Sequence, residues 1–234
     1  MLIVAKAQRF GAIKICLYLK ILLYFRLLKS KIKMNKFLII AFFLFSTVAC
    51  KKSEVKSVNT NNSKDSLTYQ PNVSGSKWSY EMTLGGLLKS NYNVTCLDYD
   101  SVINGRTYRV FNDEKQGLQF IRQEGNQYFS VITAAANKTE LMIIDASKAV
   151  GESWVGGVNG NDTYTYTMSA KYPTYELDGF TFKNVLKIYQ ERKNGNNITL
   201  SGDTYYAEGV GNILIDGKVS GISTYVKLTS VDLK

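Results

Sequence analysis

The sequence predicts an all-β domain in which about ten or more strands form one curved antiparallel sheet, folded as an open barrel or a sandwich. Runs rich in aromatic and β-branched residues recur from residue 77 onward, and such runs are typical of strands. Dipeptides that favour positive φ separate these runs, which indicates tight hairpins. No stretch keeps a helical period of about 3.6 residues over three turns, so we expect no long helix.

The clearest strand is the segment 163–168, where Thr alternates with Tyr, Tyr and Met, so that the two kinds of side chain lie on opposite faces. Further aromatic or β-branched runs predict strands over residues 92–97, 119–121, 128–132 and 141–144. The turn dipeptides that lie between apolar strands are Asn104-Gly105, Asp178-Gly179, Asn194-Gly195 and Asp216-Gly217.

The two halves of the domain carry similar segments. Gly75-Ser-Lys-Trp78 resembles Gly151-Glu-Ser-Trp154 at an offset of 76 residues, and the segment that begins at Asn104 resembles the one that begins at Asp178 at an offset of 74. A duplicated half-sheet would produce this pattern. Common hairpin chemistry produces it by chance, and both explanations stay open at this point.

Residues 34–49 predict a lipoprotein signal peptide. Lys36 precedes the apolar run 37–45, small residues follow at 46–49, and Cys50 comes next. This order is typical of an export signal that is cleaved between Ala49 and Cys50, after which the thiol of Cys50 carries lipid. We therefore expect a protein of the cell envelope that is anchored to a membrane through acyl chains.

Residues 1–33 precede this signal. Their apolar stretch 13–28 is interrupted by Lys14, Lys20 and Arg26, whereas a membrane span needs roughly 20 apolar residues with few charges. We expect Met34 to be the true initiator and the earlier residues to be a mis-annotated leader. The alternative is a basic extension that lies on a membrane surface.

The chain after Cys50 divides into a polar segment and the β domain. Residues 50–74 are rich in Ser, Asn and Lys and predict a flexible tether that spans on the order of 25–30 Å. Residues 75–234 form the domain. Most of the formal charge of +10 belongs to the leader and the signal peptide, because residues 1–49 hold nine of the 29 basic residues and none of the 19 acidic ones. The near-neutral remainder is not expected to bind nucleic acid.

Catalytic chemistry is not expected from this composition. The chain contains no His, so a Ser-His-Asp or Cys-His arrangement is impossible. Cys96 is the one cysteine after Cys50, which excludes an internal disulfide, and we expect a buried structural thiol. Asp98 and Asp100 lie two residues apart on one predicted strand. They are candidates for the catalytic pair of a carboxylate-dependent hydrolase or for calcium ligands. A solvated hairpin end is the favoured interpretation.

No cofactor or metal is expected. The glycines of Gly209-Val210-Gly211 lack the Lys-Ser/Thr of a phosphate loop and precede a predicted strand. Aromatic side chains are the stronger candidates for binding, since Tyr and Trp combine a large apolar surface with a polar group. A concave face for a lipid or a sugar is predicted at Trp78, Trp154, Tyr164, Tyr166, Tyr205 and Tyr206. Core packing is the alternative role for them.

A family resemblance adds to these expectations. It is carried by Trp78-Ser-Tyr80, Gly151-Glu-Ser-Trp154 and the run Tyr205-Tyr206-Ala207-Glu208-Gly209-Val210-Gly211, which resemble segments of uncharacterised Bacteroidota lipoproteins with a Tyr-Tyr-Ala-x-Gly-Val-Gly motif. The resemblance covers roughly residues 75–234 and implies an outer-membrane-associated all-β lipoprotein with no established activity. It departs at Asn212-Ile-Leu-Ile215, where relatives often carry a basic strand, and at Thr47, where an aliphatic residue is usual.

The expected function is a non-enzymatic envelope lipoprotein whose sheet binds a lipid, a glycan or an envelope protein. Surface-exposed members of the resembled group tend to carry acidic residues after the lipidated Cys, so Lys51-Lys52 favour an outer-membrane anchor that faces the periplasm. The alternatives are a structural or assembly lipoprotein without a small-molecule site and the carboxylate-dependent hydrolase.

Overall fold

The structure is a computed structural model that describes residues 56–57, 68–133 and 138–234. Every described residue belongs to the compact unit Ser53–Lys234. The predicted leader, the signal peptide and Cys50 lie outside the described residues. Within the described part, no helix is long and apolar enough to cross a membrane.

The described residues form thirteen strands that follow one another along the chain. Their bounds are β1 Lys56–Ser57, β2 Lys77–Leu84, β3 Leu88–Ile103, β4 Arg106–Asp113, β5 Gly117–Glu124, β6 Gln127–Ile132, β7 Thr139–Asp145, β8 Ser153–Asn159, β9 Asp162–Leu177, β10 Phe180–Asn194, β11 Asn197–Ala207, β12 Gly211–Val219 and β13 Ile222–Asp232. The predicted strands all lie within or overlap these elements, but the turn predicted at Asp216-Gly217 was wrong, because both residues lie inside β12 and pair with Asp203 and Gly202 of β11.

Strands β2 to β13 form one antiparallel sheet in which consecutive strands pair, with the exception of β7 and β8, and β2 also pairs with β13. The sheet order therefore runs from β7 through β2 and β13 to β8. Strand β1 pairs in parallel with β10 at Phe180 and Thr181. The all-β prediction is confirmed, and the sheet curls until it is nearly closed into a barrel.

The seam of this barrel lies between the edge strands β7 and β8. The indole N–H of Trp154 donates to the carbonyl oxygen of Met142 at 3.0 Å. Gly156 and Gly157 let the two backbones approach, because a Cβ on Gly156 would lie 2.8 Å from the Met142 oxygen and one on Gly157 would lie 2.7 Å from Leu141 Cδ2. The hydrogen bond of Trp154 and the absence of a side chain in the two glycines thus allow the two edges to meet.

The two halves of the sheet, β2–β7 and β8–β13, contain six strands each and correspond in order. Trp78 lies in the first strand of one half and Trp154 in the first strand of the other. The turns Asn104-Gly105 and Asp178-Gly179 occupy the same place, after the second strand, and all four residues have positive φ. The similar segments therefore lie where a duplicated half-sheet would place them.

The backbone that leads into each half repeats one hydrogen-bond pattern. Gly75 N donates to the oxygen of Cys96 at 2.9 Å, and Cys96 N donates back to the oxygen of Ser76 at 2.9 Å. In the second half, Gly151 N donates to Met168 O at 2.8 Å, and Met168 N donates back to the oxygen of Glu152 at 2.9 Å. Cys96 and Met168 are both buried and lie on the second strand of each half, so the two halves share an equivalent core position.

The long β9–β10 hairpin folds over the outer face of β11–β13. Tyr205 alternates with inward-facing neighbours on β11, and its ring centroid lies 5.1 Å from that of Tyr175 on β9. At the hairpin turn, Asp178 forms an ion pair with Lys227 of β13. Phe182 of β10 belongs to the buried hydrophobic cluster against which Tyr175 and Tyr205 pack. This second layer covers apolar surface that the barrel wall would otherwise expose.

Residues that the sequence assigns to the tether also contact the barrel. Tyr69 is only 7% exposed, and its backbone N–H donates to the Tyr128 hydroxyl at 2.8 Å. Thr68 accepts a hydrogen bond from Gly209 N at 2.7 Å. Composition alone could not reveal this packing, because one aromatic residue in a polar segment is buried only by a surface formed elsewhere in the chain.

Cys96 is free and buried, as predicted, and burial raises the pKa of its thiol.

The seam generates a prediction about Gly156. Gly156→Ala should destabilise the protein by about 1–3 kcal/mol, because the new methyl group meets the backbone of β7 and the Tyr166 ring. Urea denaturation measures this change. Val155→Ala, which removes a side chain that is 59% exposed, is the control and should change the free energy of unfolding by less than about 0.5 kcal/mol. Equal effects of the two variants would contradict the close approach.

Candidate binding cavity

A partly open cavity of about 260 Å³ lies in the barrel. Side chains that alternate inward along the strands of both halves form its wall, and Gln70 of the segment before β2 reaches it from one end. The other lining residues are Trp78, Tyr80, Tyr92, Val94, Phe111, Asp113, Gln116, Gln119, Ile121, Ser130, Ile143, Gln190, Thr204, Tyr206, Asn212 and Ile215. Polar groups and aromatic rings therefore line a space in which a purely structural barrel would place aliphatic side chains.

Two polar atoms of this wall lack a hydrogen-bond partner among the described residues. They are the hydroxyl oxygen of Thr204 and the side-chain oxygen of Asn212. Thr204 is only 3% exposed, and the two side chains lie on adjacent strands, β11 and β12. A buried polar group without a partner costs roughly 1–3 kcal/mol. Both oxygens are fully buried, so a molecule in the cavity could bond to them only after their side chains turn toward it.

Tyrosines form one side of the cavity. The rings of Tyr80 and Tyr92 stack with centroids 5.3 Å apart and an interplanar angle of 23°. The Tyr80 hydroxyl donates to the backbone oxygen of Asn212 at 2.9 Å. Burial raises the pKa of Tyr92 to about 12 and raises the pKa values of Tyr80 and Tyr206 well above the usual range. These phenols therefore stay uncharged at neutral pH.

Asp113 carries the one formal charge among the lining side chains. Its Oδ1 accepts hydrogen bonds from the backbone N–H groups of Lys115 at 2.7 Å and Gln116 at 3.0 Å. Its Oδ2 accepts from Gln119 Nε2 at 3.4 Å. The carboxylate thus closes the β4–β5 turn, and donors of the protein already occupy both of its oxygens.

A larger outer cavity of about 460 Å³ lies beside the inner one. Gln70, Phe111 and Ile121 line both cavities. The outer wall also contains Arg109, whose Nε lies 3.2 Å from Asp100 Oδ1, and whose Nη1 donates to the Leu97 oxygen at 3.4 Å. The outer cavity opens toward solvent and is the more strongly charged of the two.

The two carboxylates that the sequence analysis considered for hydrolysis have different surroundings. Asp100 lines the outer cavity and pairs with Arg109. Asp98 is exposed, lies where the register of β3 against β4 shifts, and is absent from the outer cavity wall. In the part of the chain that the structure describes, no group of three or more potential ligand side chains could hold a metal ion.

The predicted aromatic face is divided among several places. Trp78 and Tyr206 line the inner cavity, and the Trp78 indole N–H donates to Val210 O at 2.6 Å. Tyr205 points to the opposite face of β11, where Lys187 Nζ lies 5.6 Å from its ring centroid. Adjacent residues of a strand point to opposite faces, so Tyr205 and Tyr206 are not part of one surface.

The remaining predicted residues pack near the seam. Trp154 and Tyr166 stack with centroids 5.6 Å apart at an interplanar angle of 18°, and Tyr164 packs at the edge of the same buried cluster. These three side chains fill core space. The ligand role of the six-residue set stays a prediction, and two of its members lie where a ligand could reach them.

Sequence reasoning missed most of the cavity wall. Tyr80, Tyr92, Thr204 and Asn212 were not proposed as binding residues. The motif that contains Tyr206 held a partial signal, since Thr204 lies two residues earlier and therefore on the same strand face. Which face of that strand points inward depends on how the sheet curls, and this was not readable from the pattern.

The fold and the cavity together define an all-β protein with a polar internal cavity in a nearly closed barrel. A scan for family models finds no match, and no curated protein matches. One similar solved structure, from Bacteroides fragilis, is described as "a putative exported protein with YmcC-like fold"; it has 12% identity and a TM-score of 0.45, and the match covers 72% of this chain and 100% of that one.

A second similar structure, from Parabacteroides distasonis, is described as "a putative lipoprotein". It has 10% identity and a TM-score of 0.40, and the match again covers 72% of this chain and 100% of that one. Both likenesses are distant. The chain is thus structurally similar to two Bacteroidota proteins, one described as exported and the other as a lipoprotein.

The unpartnered hydroxyl of Thr204 predicts an unusual stability effect. Thr204→Val keeps the shape of the side chain and should leave the protein as stable as before, or more stable by about 1 kcal/mol, because a buried hydroxyl without a partner is removed. The control is Thr199→Val on the same strand, whose hydroxyl bonds to Arg192 Nε at 2.7 Å and should cost about 1 kcal/mol or more. Denaturant unfolding compares them, and equal losses would show that Thr204 has a partner.

The tyrosines generate a pH prediction. Because burial raises the pKa of Tyr92 above its ordinary value of 10.0 to about 12, the folded state holds the phenol proton more tightly than the unfolded state. The resulting stability is fully present below pH 10 and is lost as the pH rises from 10 to about 12. Tyr92→Phe should flatten this decline in urea-unfolding measurements. Tyr99→Phe, which removes an exposed phenol, should leave the decline unchanged.

Proposed function

We propose that this protein is a non-enzymatic, lipid-anchored envelope protein that binds a small ligand inside its barrel. The observation that carries the proposal is the pair of unpartnered oxygens on Thr204 and Asn212, which belong to the same cavity wall. Evolution tolerates such groups where a ligand or ordered water completes their hydrogen bonds. A cavity of about 260 Å³ with few well-placed polar groups fits a binding site.

The surroundings of one carboxylate, Glu140, suit a structural role rather than a catalytic one. Glu140 lies in a network with Arg122, Tyr108 and Arg106. Burial alone would raise its pKa, but hydrogen bonds from Arg122 and Tyr108 outweigh burial and lower it. A carboxyl group that is held ionised by two cations suits a structural network, whereas a general acid needs a raised pKa.

The location follows from the N-terminal sequence. The order of Lys36, the apolar run 37–45, the small residues 46–49 and Cys50 supports export and acylation. The resemblance to outer-membrane-associated lipoproteins supports an outer-membrane location, and Lys51-Lys52 supports an anchor that faces the periplasm. A domain tethered there samples small molecules of the periplasm.

An assembly function is the second candidate, and the hairpin tips favour it. Leu87 and Leu88 are 87% and 71% exposed at the β2–β3 turn, and Ile222 and Ile198 are exposed in neighbouring hairpins. The turns lie side by side, since Gly85 N donates to Ser223 O at 2.8 Å. Exposed apolar groups that cluster in this way are typical of contact surfaces.

Native mass spectrometry of the full-length protein, purified from membranes in mild detergent, tests the proposal. We expect a polypeptide that begins at Cys50 and carries acyl chains, together with an additional bound mass that is released on denaturation. Thr204→Met, which extends a larger side chain into the cavity, should lose the bound mass while circular dichroism shows an unchanged β fold. A mass equal to the acylated polypeptide alone would contradict ligand binding, and an uncleaved leader would contradict the anchor.

A further inference from the structure

We propose that the inner cavity takes an uncharged, hydroxylated ligand of about the size of one sugar ring, and that the outer cavity receives the group attached to it. This inference rests on the proposed binding function and names the chemical class of the ligand. It commits to neutral polyols and sugars over fatty acids, anions and organic cations.

Size and polarity argue against an acyl chain. The cavity of about 260 Å³ is below the range of roughly 300–1,000 Å³ that is usual for drug-sized ligands. Its wall includes the polar side chains of Gln119, Gln190, Ser130, Thr204 and Asn212. Burying methylene groups against such a wall would leave those polar groups without partners, which opposes the gain from hydrophobic burial.

The charges of the wall argue against ions. No Lys or Arg side chain lines the inner cavity, so a phosphate or carboxylate would be buried without a counter-charge. An organic cation would need a free carboxylate. The Asp113 carboxylate is already held by the N–H groups of Lys115, Gln116 and Gln119, so it closes a turn instead of facing the ligand.

The hydrogen-bond needs of the wall match hydroxyl groups. Asn212 Oδ1 needs a donor, and the Thr204 hydroxyl can donate or accept. A hydroxyl group does both, so a ring that carries several hydroxyls can satisfy adjacent positions on β11 and β12 once the two buried side chains turn toward the cavity. The stacked rings of Tyr80 and Tyr92 supply a flat apolar surface, against which the C–H face of a sugar ring packs.

The outer cavity provides the approach. It shares Gln70, Phe111 and Ile121 with the inner cavity, so a ligand that passes Gln70 contacts both. Its larger volume of about 460 Å³ and its polar residues Asn72 and Gln123 suit a second, more solvated unit. Gln70 lies on the segment that Tyr69 fixes to the barrel through Tyr128, which holds the amide at the junction.

The test is calorimetric titration and saturation-transfer NMR of the full-length detergent-solubilised protein, with defined probes. The probes are glucose, galactose, mannose, N-acetylglucosamine and myo-inositol, with palmitate, choline and inorganic phosphate as competitors of other classes. We expect at least one hydroxylated probe to bind. Thr204→Val should weaken its affinity about tenfold, the effect of one hydrogen bond.

Thr174→Val is the matched control, because Thr174 is exposed on β9 outside both cavities; it should leave the affinity unchanged. If no hydroxylated probe binds, or if binding is insensitive to Thr204→Val, the ligand class assigned to this cavity is wrong. Palmitate, choline or phosphate bound in a Thr204-dependent manner would overturn the class and leave the binding function standing. If no probe binds and a crystal structure shows only ordered water in the cavity, both proposals fail.

Discussion

The near-closure of one antiparallel sheet is the constraint on which the rest of the structure depends. Once β2 pairs with β13, the twelve strands curl until β7 and β8 meet at a seam made by Trp154 and the side-chain-free backbone of Gly156 and Gly157. Closure divides every strand into an inward and an outward row. It therefore decides which residues share the interior and which contact solvent or the folded-over β9–β10 hairpin.

The interior that results is only partly a hydrophobic core. Trp78, Phe111 and Leu228 pack tightly, whereas the neighbouring wall carries Thr204, Asn212 and three buried phenols. Leaving polar atoms unpartnered lowers stability. Such local departures from good packing are expected at functional sites, where stability elsewhere compensates for them, and here the firmly packed halves of the barrel supply that stability.

Much of the fold could be predicted locally. The alternation of 163–168 and the turns at Asn104-Gly105 and Asp178-Gly179 depend on backbone geometry and on positive φ, which neighbouring residues determine. Whether the sheet became a barrel or a sandwich was left open. That outcome depends on pairing between β2 and β13, whose residues lie far apart in the chain, and on the seam glycines, whose importance appears only beside β7.

The candidate site shows the same division. Sequence alone determined the β character of the chain, the absence of His chemistry, the buried thiol of Cys96 and the expectation of a lipidated Cys50, because each follows from residue type or short-range order. Only the tertiary structure separated Tyr206 from Tyr205 and joined it with Tyr80, Thr204 and Asn212 around one cavity. The alternation of residues along a strand shows which side chains share a face of the sheet. The direction of sheet curvature decides which of the two faces lines the barrel interior.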